Sequence, residues 1–181
     1  RTDIVSSNDS YPKAASRTDC AGATCTYAEE MTNFANWYAY YRTRMQTMKS
    51  AASRSFSSID NAYRVGFVTI NPGSPVSSGK YLAIGDFAGS AGGQKQAWYN
   101  KLFGISPGGG TPLREALSRV GRHYANITSG INNGMSADPM QYSCQQNFSI
   151  LTTDGYWNGA AGQKLDGTSI GEQDNVEDTG A

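Results

Sequence analysis

The chain has 181 residues, 38% of them hydrophobic, with 15 Lys and Arg against 15 Asp and Glu. That is the length of one domain with one core, and it carries no cationic surplus for a nucleic-acid backbone. Leu, Ile, Val and Phe number only 27, yet 20 aromatic residues add bulk and the zero net charge removes the repulsion that would favour disorder. A charged fraction of 17% leaves a largely neutral, polar surface, as suits a secreted protein. Residues 138–181 hold 7 acidic side chains against Lys164 alone, and read as a solvated acidic tail. No apolar stretch approaches the roughly 18 residues of a membrane span.

Residues 1–25 show no periodicity and many turn formers, so they read as a long loop. Within it Cys20 and Cys25 are close enough to form a disulfide in an oxidising compartment. Cys144 is left over, either as a buried apolar residue or as the partner of a segment outside this chain. Three cysteines without CxxC spacing, and only His123 beside them, do not make a zinc set. Thr26-Tyr-Ala-Glu29 fits a capping box and opens a long helix. Met31, Phe34, Tyr38, Met45, Met48 and Phe56 lie on one stripe of it that predicts a core-facing surface, with Trp37 and Tyr40 pointing elsewhere. Tyr63–Ile70 and Tyr81–Phe87 read as strands, short enough in their connection for an antiparallel return. Residues 94–105 form a helix anchored by Trp98. Thr111-Pro112 then predicts an N-cap and first helical position, followed by the stripe Leu113, Ala116, Leu117, Val120, Tyr124 and Ile127. His123 on that helix reads as solvent-facing or cap-like. Asn147–Thr153 reads as a buried strand ending at Asp154-Gly155. Strands alternating with helices predict an α/β fold in which the helices starting near Thr26 and Thr111 flank a sheet containing residues 63–70 and 147–153.

Two loops stand where an α/β sheet binds ligands, beyond the carboxyl ends of its strands: Gly110-Thr-Pro-Leu113 and Thr152-Thr-Asp-Gly155. The Thr111 hydroxyl and the Asp154 carboxylate are hard oxygen donors of the kind Mg²⁺ takes. Each also has a plain structural reading, Thr111 as an N-cap and Asp154 as the first residue of an Asp-Gly turn. The segment Gly73–Lys80 has one residue too many for a phosphate-binding loop.

The element order, with Gly110-Thr-Pro-Leu-Arg-Glu-Ala-Leu117 and Thr153-Asp-Gly155, resembles a von Willebrand factor A domain. In that family a metal-ion-dependent adhesion site combines a D-x-S-x-S loop after the first strand with a Thr and an Asp from later loops. Thr111 and Asp154 match the last two, and no Asp of this chain has Ser at both following positions of the first. The run Thr32-Asn-Phe-Ala-Asn-Trp-Tyr-Ala-Tyr-Tyr-Arg-Thr-Arg44 and the segment Ile150-Leu-Thr-Thr-Asp-Gly-Tyr-Trp-Asn158 narrow the resemblance to the PilC/PilY family of type IV pilus tip adhesins and assembly factors.

The resemblance implies a three-layer, Rossmann-like A domain over 26–158 that lacks its first strand. Residues 1–25 would then end a large insertion and 159–181 form an irregular tail. It also implies Mg²⁺ only where an upstream D-x-S-x-S loop completes the site. The implied partners are pilus subunits or minor pilins and a host or surface receptor, and the implied location is the bacterial pilus tip or outer membrane. A metal-dependent hydrolase, or a structural spacer with a vestigial metal site, is the alternative.

Overall fold

A computed structural model describes residues 2–136, 138–153 and 155–171. The chain divides into two compact units, Arg1–Ser58 and Ile59–Ala181. Together their described residues form a mixed α/β protein of two small antiparallel sheets and four helices.

In the first unit, β1 (Tyr11–Pro12) pairs with β2 (Thr24–Cys25), so the stretch read as loop is ordered by a short strand pair. The Cys20–Cys25 disulfide closes beside it, and the buried Tyr11, Cys20 and Cys25, backed by Tyr27, form its core. The Tyr11 hydroxyl makes that burial tolerable by donating to Val5 O at 2.7 Å and accepting from Val5 N–H at 2.8 Å. Helix α1 (Tyr27–Tyr40) starts on the expected capping box of Thr26 and Glu29. Amides of Ala21 and Thr26 donate to the Glu29 carboxylate and hold its pKa below the ordinary value.

The single long helix is a correction, because α1 stops at Tyr40 and α2 runs over Arg44–Ser57. Thr43 and Gln46 form a second capping box. Polar side chains of α2 also satisfy carbonyls at the end of α1: Gln46 Nε2 donates to Ala39 O, Thr47 Oγ1 to Tyr41 O and Ser50 Oγ to Tyr40 O. The predicted core stripe also differs, since Phe34 is 53% and Tyr38 47% exposed. These rings contact one another and their neighbours instead, with Phe34 centred 5.9 Å from both Trp37 and Tyr38, and Arg42 4.0 Å above the Tyr38 ring.

In the second unit, β3 (Arg64–Val68) and β4 (Tyr81–Asp86) form the expected antiparallel return, with an irregularity between Val65 and Phe67. A Cβ on Gly66 would lie 2.7 Å from Ile84 Cγ1, which explains glycine at that point. The Gln94 carboxamide spans the irregularity, donating to Val65 O and Ala83 O. Gln94 opens α3 (Gln94–Gly104), whose Trp98 is buried edge-on to Phe67 and Phe87 as the sequence predicts.

Helix α4 (Leu113–Tyr124) buries Ala116 as predicted, but the rest of its buried face differs: Arg119, Arg122 and His123 are buried, and Leu117 is 51% exposed. Its arginines act as cross-links. Arg119 donates to Ile131 O and pairs with Glu115 at 2.6 Å, while Arg122 donates to the carbonyls of Lys164, Leu165 and Ser129. The segment around the Gln163–Ser169 bridge is thereby held against α4, with Ser118 Oγ accepting from Gln163 N–H and donating to its carbonyl.

Residues 147–153 correct the sequence reading a second time, because they form no strand. Phe148 is 78% and Ile150 76% exposed, and Tyr124 donates its hydroxyl to Phe148 O. A strand needs a hydrogen-bonded neighbour, and among the described residues β3 and β4 pair only with each other, with residues 147–153 on neither of their outer edges.

Candidate functional site

Three loops of the second unit meet at Thr111. The first follows β3 and brings Asn71, whose carbonyl accepts from Lys80 Nζ at 3.1 Å. The second is the glycine run 108–110, and the third follows the 147–153 run. Gly109 has φ +80, and a Cβ there would meet Asn71 Nδ2 at 2.2 Å; a Cβ on Gly110 would meet Asn158 Oδ1 at 2.6 Å. Glycine is therefore what lets these loops approach, both by conformation and by the absence of a side chain.

Thr111 does not cap α4. The helix begins after Pro112, without a side-chain cap. The Thr111 main chain is committed elsewhere: its N–H donates to Asn158 Oδ1 at 2.8 Å, and its carbonyl accepts from Asn158 N–H at 3.0 Å. The Thr111 hydroxyl makes no hydrogen bond among the described residues, so the N-cap reading of that side chain falls and its oxygen is available. Asp154 lies outside the described residues. On either side of it, Gly155 N–H donates to Thr153 Oγ1 at 3.4 Å, Tyr156 is 98% exposed, and Trp157 lies 4.1 Å beneath the Arg114 guanidinium.

Among the described residues one His/Cys/Asp/Glu group is tight enough for a metal, Cys20, Cys25 and Glu30, and both its sulfurs are consumed by the disulfide. Cys144 is free and exposed, which removes the reading of it as a buried apolar residue. His123 is also corrected, being buried with its ring edge-on to Tyr81 at 6.3 Å. Burial lowers its pKa below 6.5, and the charge of Asp138 opposes that shift. Its Nε2 has no partner among the described residues. Gly104-Ile-Ser-Pro-Gly108 formally fits G-x-S-x-G, but it leaves the end of α3 rather than joining a strand to a helix, so it is no nucleophile elbow.

Asn71 and Asn158 are the site residues that sequence reasoning missed. The signal available was the glycine run itself, which implies close backbone approach by something polar. No helix of the described residues is long and apolar enough to cross a membrane.

Over 157 residues, 82% of this chain, the sequence is 34% identical to the type IV pilus biogenesis factor PilY1 of Pseudomonas aeruginosa strain PAK. It is also 34% identical, over 175 residues and 88% of the chain, to the protein of that name from strain PAO1, and 29% identical over 155 residues to that of strain UCBPP-PA14. The chain spans 13% to 14% of the length of these curated relatives. No protein-family model and no solved structure matches it. Alignments that take in more than four fifths of the chain with relatives of one name settle its kinship, and the chain belongs to the PilC/PilY family.

Proposed function

We propose that the chain is a module of type IV pilus biogenesis and tip-associated adhesion. In this reading it works at the bacterial cell surface and binds pilus subunits or minor pilins, and a host or surface receptor, through a von Willebrand factor A-like domain over 26–158. The observation that carries the reading is the 34% identity to relatives named type IV pilus biogenesis factor PilY1, and the pairing of Thr111 with Asn158, four positions after Asp154 in the sequence, supports the site within it. An A-like domain also accounts for the unpaired apolar run 147–153, since an upstream first strand would give it a neighbour.

The described residues do not by themselves fit Mg²⁺, because one uncommitted hydroxyl falls far short of an octahedral set of oxygens. The ion therefore enters this reading only with the upstream D-x-S-x-S loop. A non-enzymatic role is favoured because the relatives carry the name of a pilus biogenesis factor. Turnover of a hydrolase substrate panel, lost in Asp154→Ala, would reverse that view.

The test is Asp154→Ala in the full-length protein, with export and folding verified. Reduced piliation, twitching or surface attachment is expected. Wild-type behaviour in all three would leave the domain as a structural spacer with a vestigial site.

A further inference from the structure

The loop that presents Thr111 has little reason to hold one shape. Gly108-Gly-Gly110 precedes it, and glycine loses more conformational freedom on ordering than any other residue. The helix that follows gives no help, because α4 begins without a side-chain cap. We propose that Asn158 is a positioning residue: it fixes the Thr111 loop against the loop that carries Asp154, and partner binding at the site depends on that clasp. The proposal rests on the reading of Thr111 and Asp154 as one site.

Two hydrogen bonds join the same two residues, one from the Thr111 amide to the Asn158 side chain and one from the Asn158 amide to the Thr111 carbonyl. A single bond would leave the loops free to swivel about it, whereas two fix both separation and twist. Gly110 is part of the same device, since any larger residue would put its Cβ 2.6 Å from Asn158 Oδ1. The residues on either side of Asn158 are held to the start of α4 as well. Trp157 lies under Arg114 of the first turn, and a Cβ on Gly159, at φ +99, would lie 3.2 Å from Pro112 Cβ. Residues 157–159 are thus anchored, the exposed Tyr156 precedes that anchor, and in the sequence Asp154 stands four positions before Asn158. The Asn158 oxygen is the functional atom in this arrangement, so aspartate should serve in its place and alanine should not.

Amide hydrogen exchange on the full-length protein reads the clasp directly, and surface attachment of the matching strains reads its consequence. In Asn158→Ala the Thr111 amide should exchange roughly tenfold faster, the order of effect of one lost hydrogen bond. Attachment should fall as far as in Asp154→Ala. Asn158→Asp should keep both at wild-type levels, and Gly110→Ala should reproduce the loss without altering Asn158. Unchanged Thr111 protection in Asn158→Ala overturns the clasp. Faster exchange with normal attachment, while Asp154→Ala is defective, makes Asn158 a structural tie only and leaves the reading of the site standing. If Asp154→Ala also attaches normally, the site reading fails and the positioning role fails with it.

Discussion

The fold opposes charge on His123. Burial lowers its pKa from 6.5 and Asp138 only partly offsets this, so the unfolded chain takes up a proton from His123 at a higher pH than the folded chain does. The unfolded state then binds more protons in the window that opens at pH 6.5 and extends down to the folded value, and stability must fall as pH falls through that window. Above pH 6.5 this group contributes no slope. The melting temperature should therefore drop from pH 7.5 to pH 5.5, and His123→Phe, which preserves an aromatic edge toward Tyr81, should flatten the decline. An unchanged slope in that variant would assign the effect to other groups. Arg122 predicts a larger effect, independent of pH. Its side chain is 1% exposed and satisfies three carbonyls from two loops. Arg122→Ala strands them and should cost about 3 kcal/mol in urea denaturation. Limited proteolysis should then cut first near residues 163–170. At Cys20 and Cys25 the expected outcome is an intact mass short of two hydrogens, with Cys144 alone alkylated before reduction. Reducing that bond should cost on the order of 2 kcal/mol, because so short a loop removes little chain entropy.

Helix boundaries follow local chemistry closely. Thr43→Ala removes the cap that starts α2 and should cost about 1 kcal/mol, comparable with Thr26→Ala at the start of α1. If Thr43→Ala were neutral in chemical denaturation, the Gln46 contacts to α1 would be carrying the junction alone. The start of α1, the β3–β4 return and the Trp98 anchor of α3 were all legible in the sequence, because each depends on neighbours within a few residues or on one large side chain. The Thr43–Gln46 box was equally local, but the continuous apolar stripe from Met31 to Phe56 concealed it. What could not be read was set by distant parts of the chain. Arg119 and Arg122 are buried because the carbonyls of Ile131, Lys164 and Leu165 receive them, and periodicity alone assigns such residues to solvent. The 147–153 run has the composition of a strand, but pairing is a property of two segments. The site was half legible: Thr111 could be named from its loop, whereas Asn158 acquires its role through a contact 47 positions away.

For the molecule as a whole, metal binding tests how much of the site this chain contains. Calorimetry on residues 1–181 with Mn²⁺ should show weak binding or none, and a longer chain that restores the upstream loop should bind detectably and lose the signal in Thr111→Ala. A micromolar site in the short chain that disappears in Thr111→Ala would mean that other residues of this sequence complete it. The exposed run 147–153 has a separate consequence for anyone handling the isolated protein. Asn147-Phe-Ser-Ile-Leu-Thr-Thr153 contains no charge, no proline and no glycine, and its backbone has no strand partner. Segments of that kind nucleate cross-β stacking, in which copies of one peptide become one another's neighbours. Self-association should therefore rise steeply with concentration, and Ile150→Lys should raise the soluble yield while leaving the Cys20–Cys25 bond and the α3 packing intact.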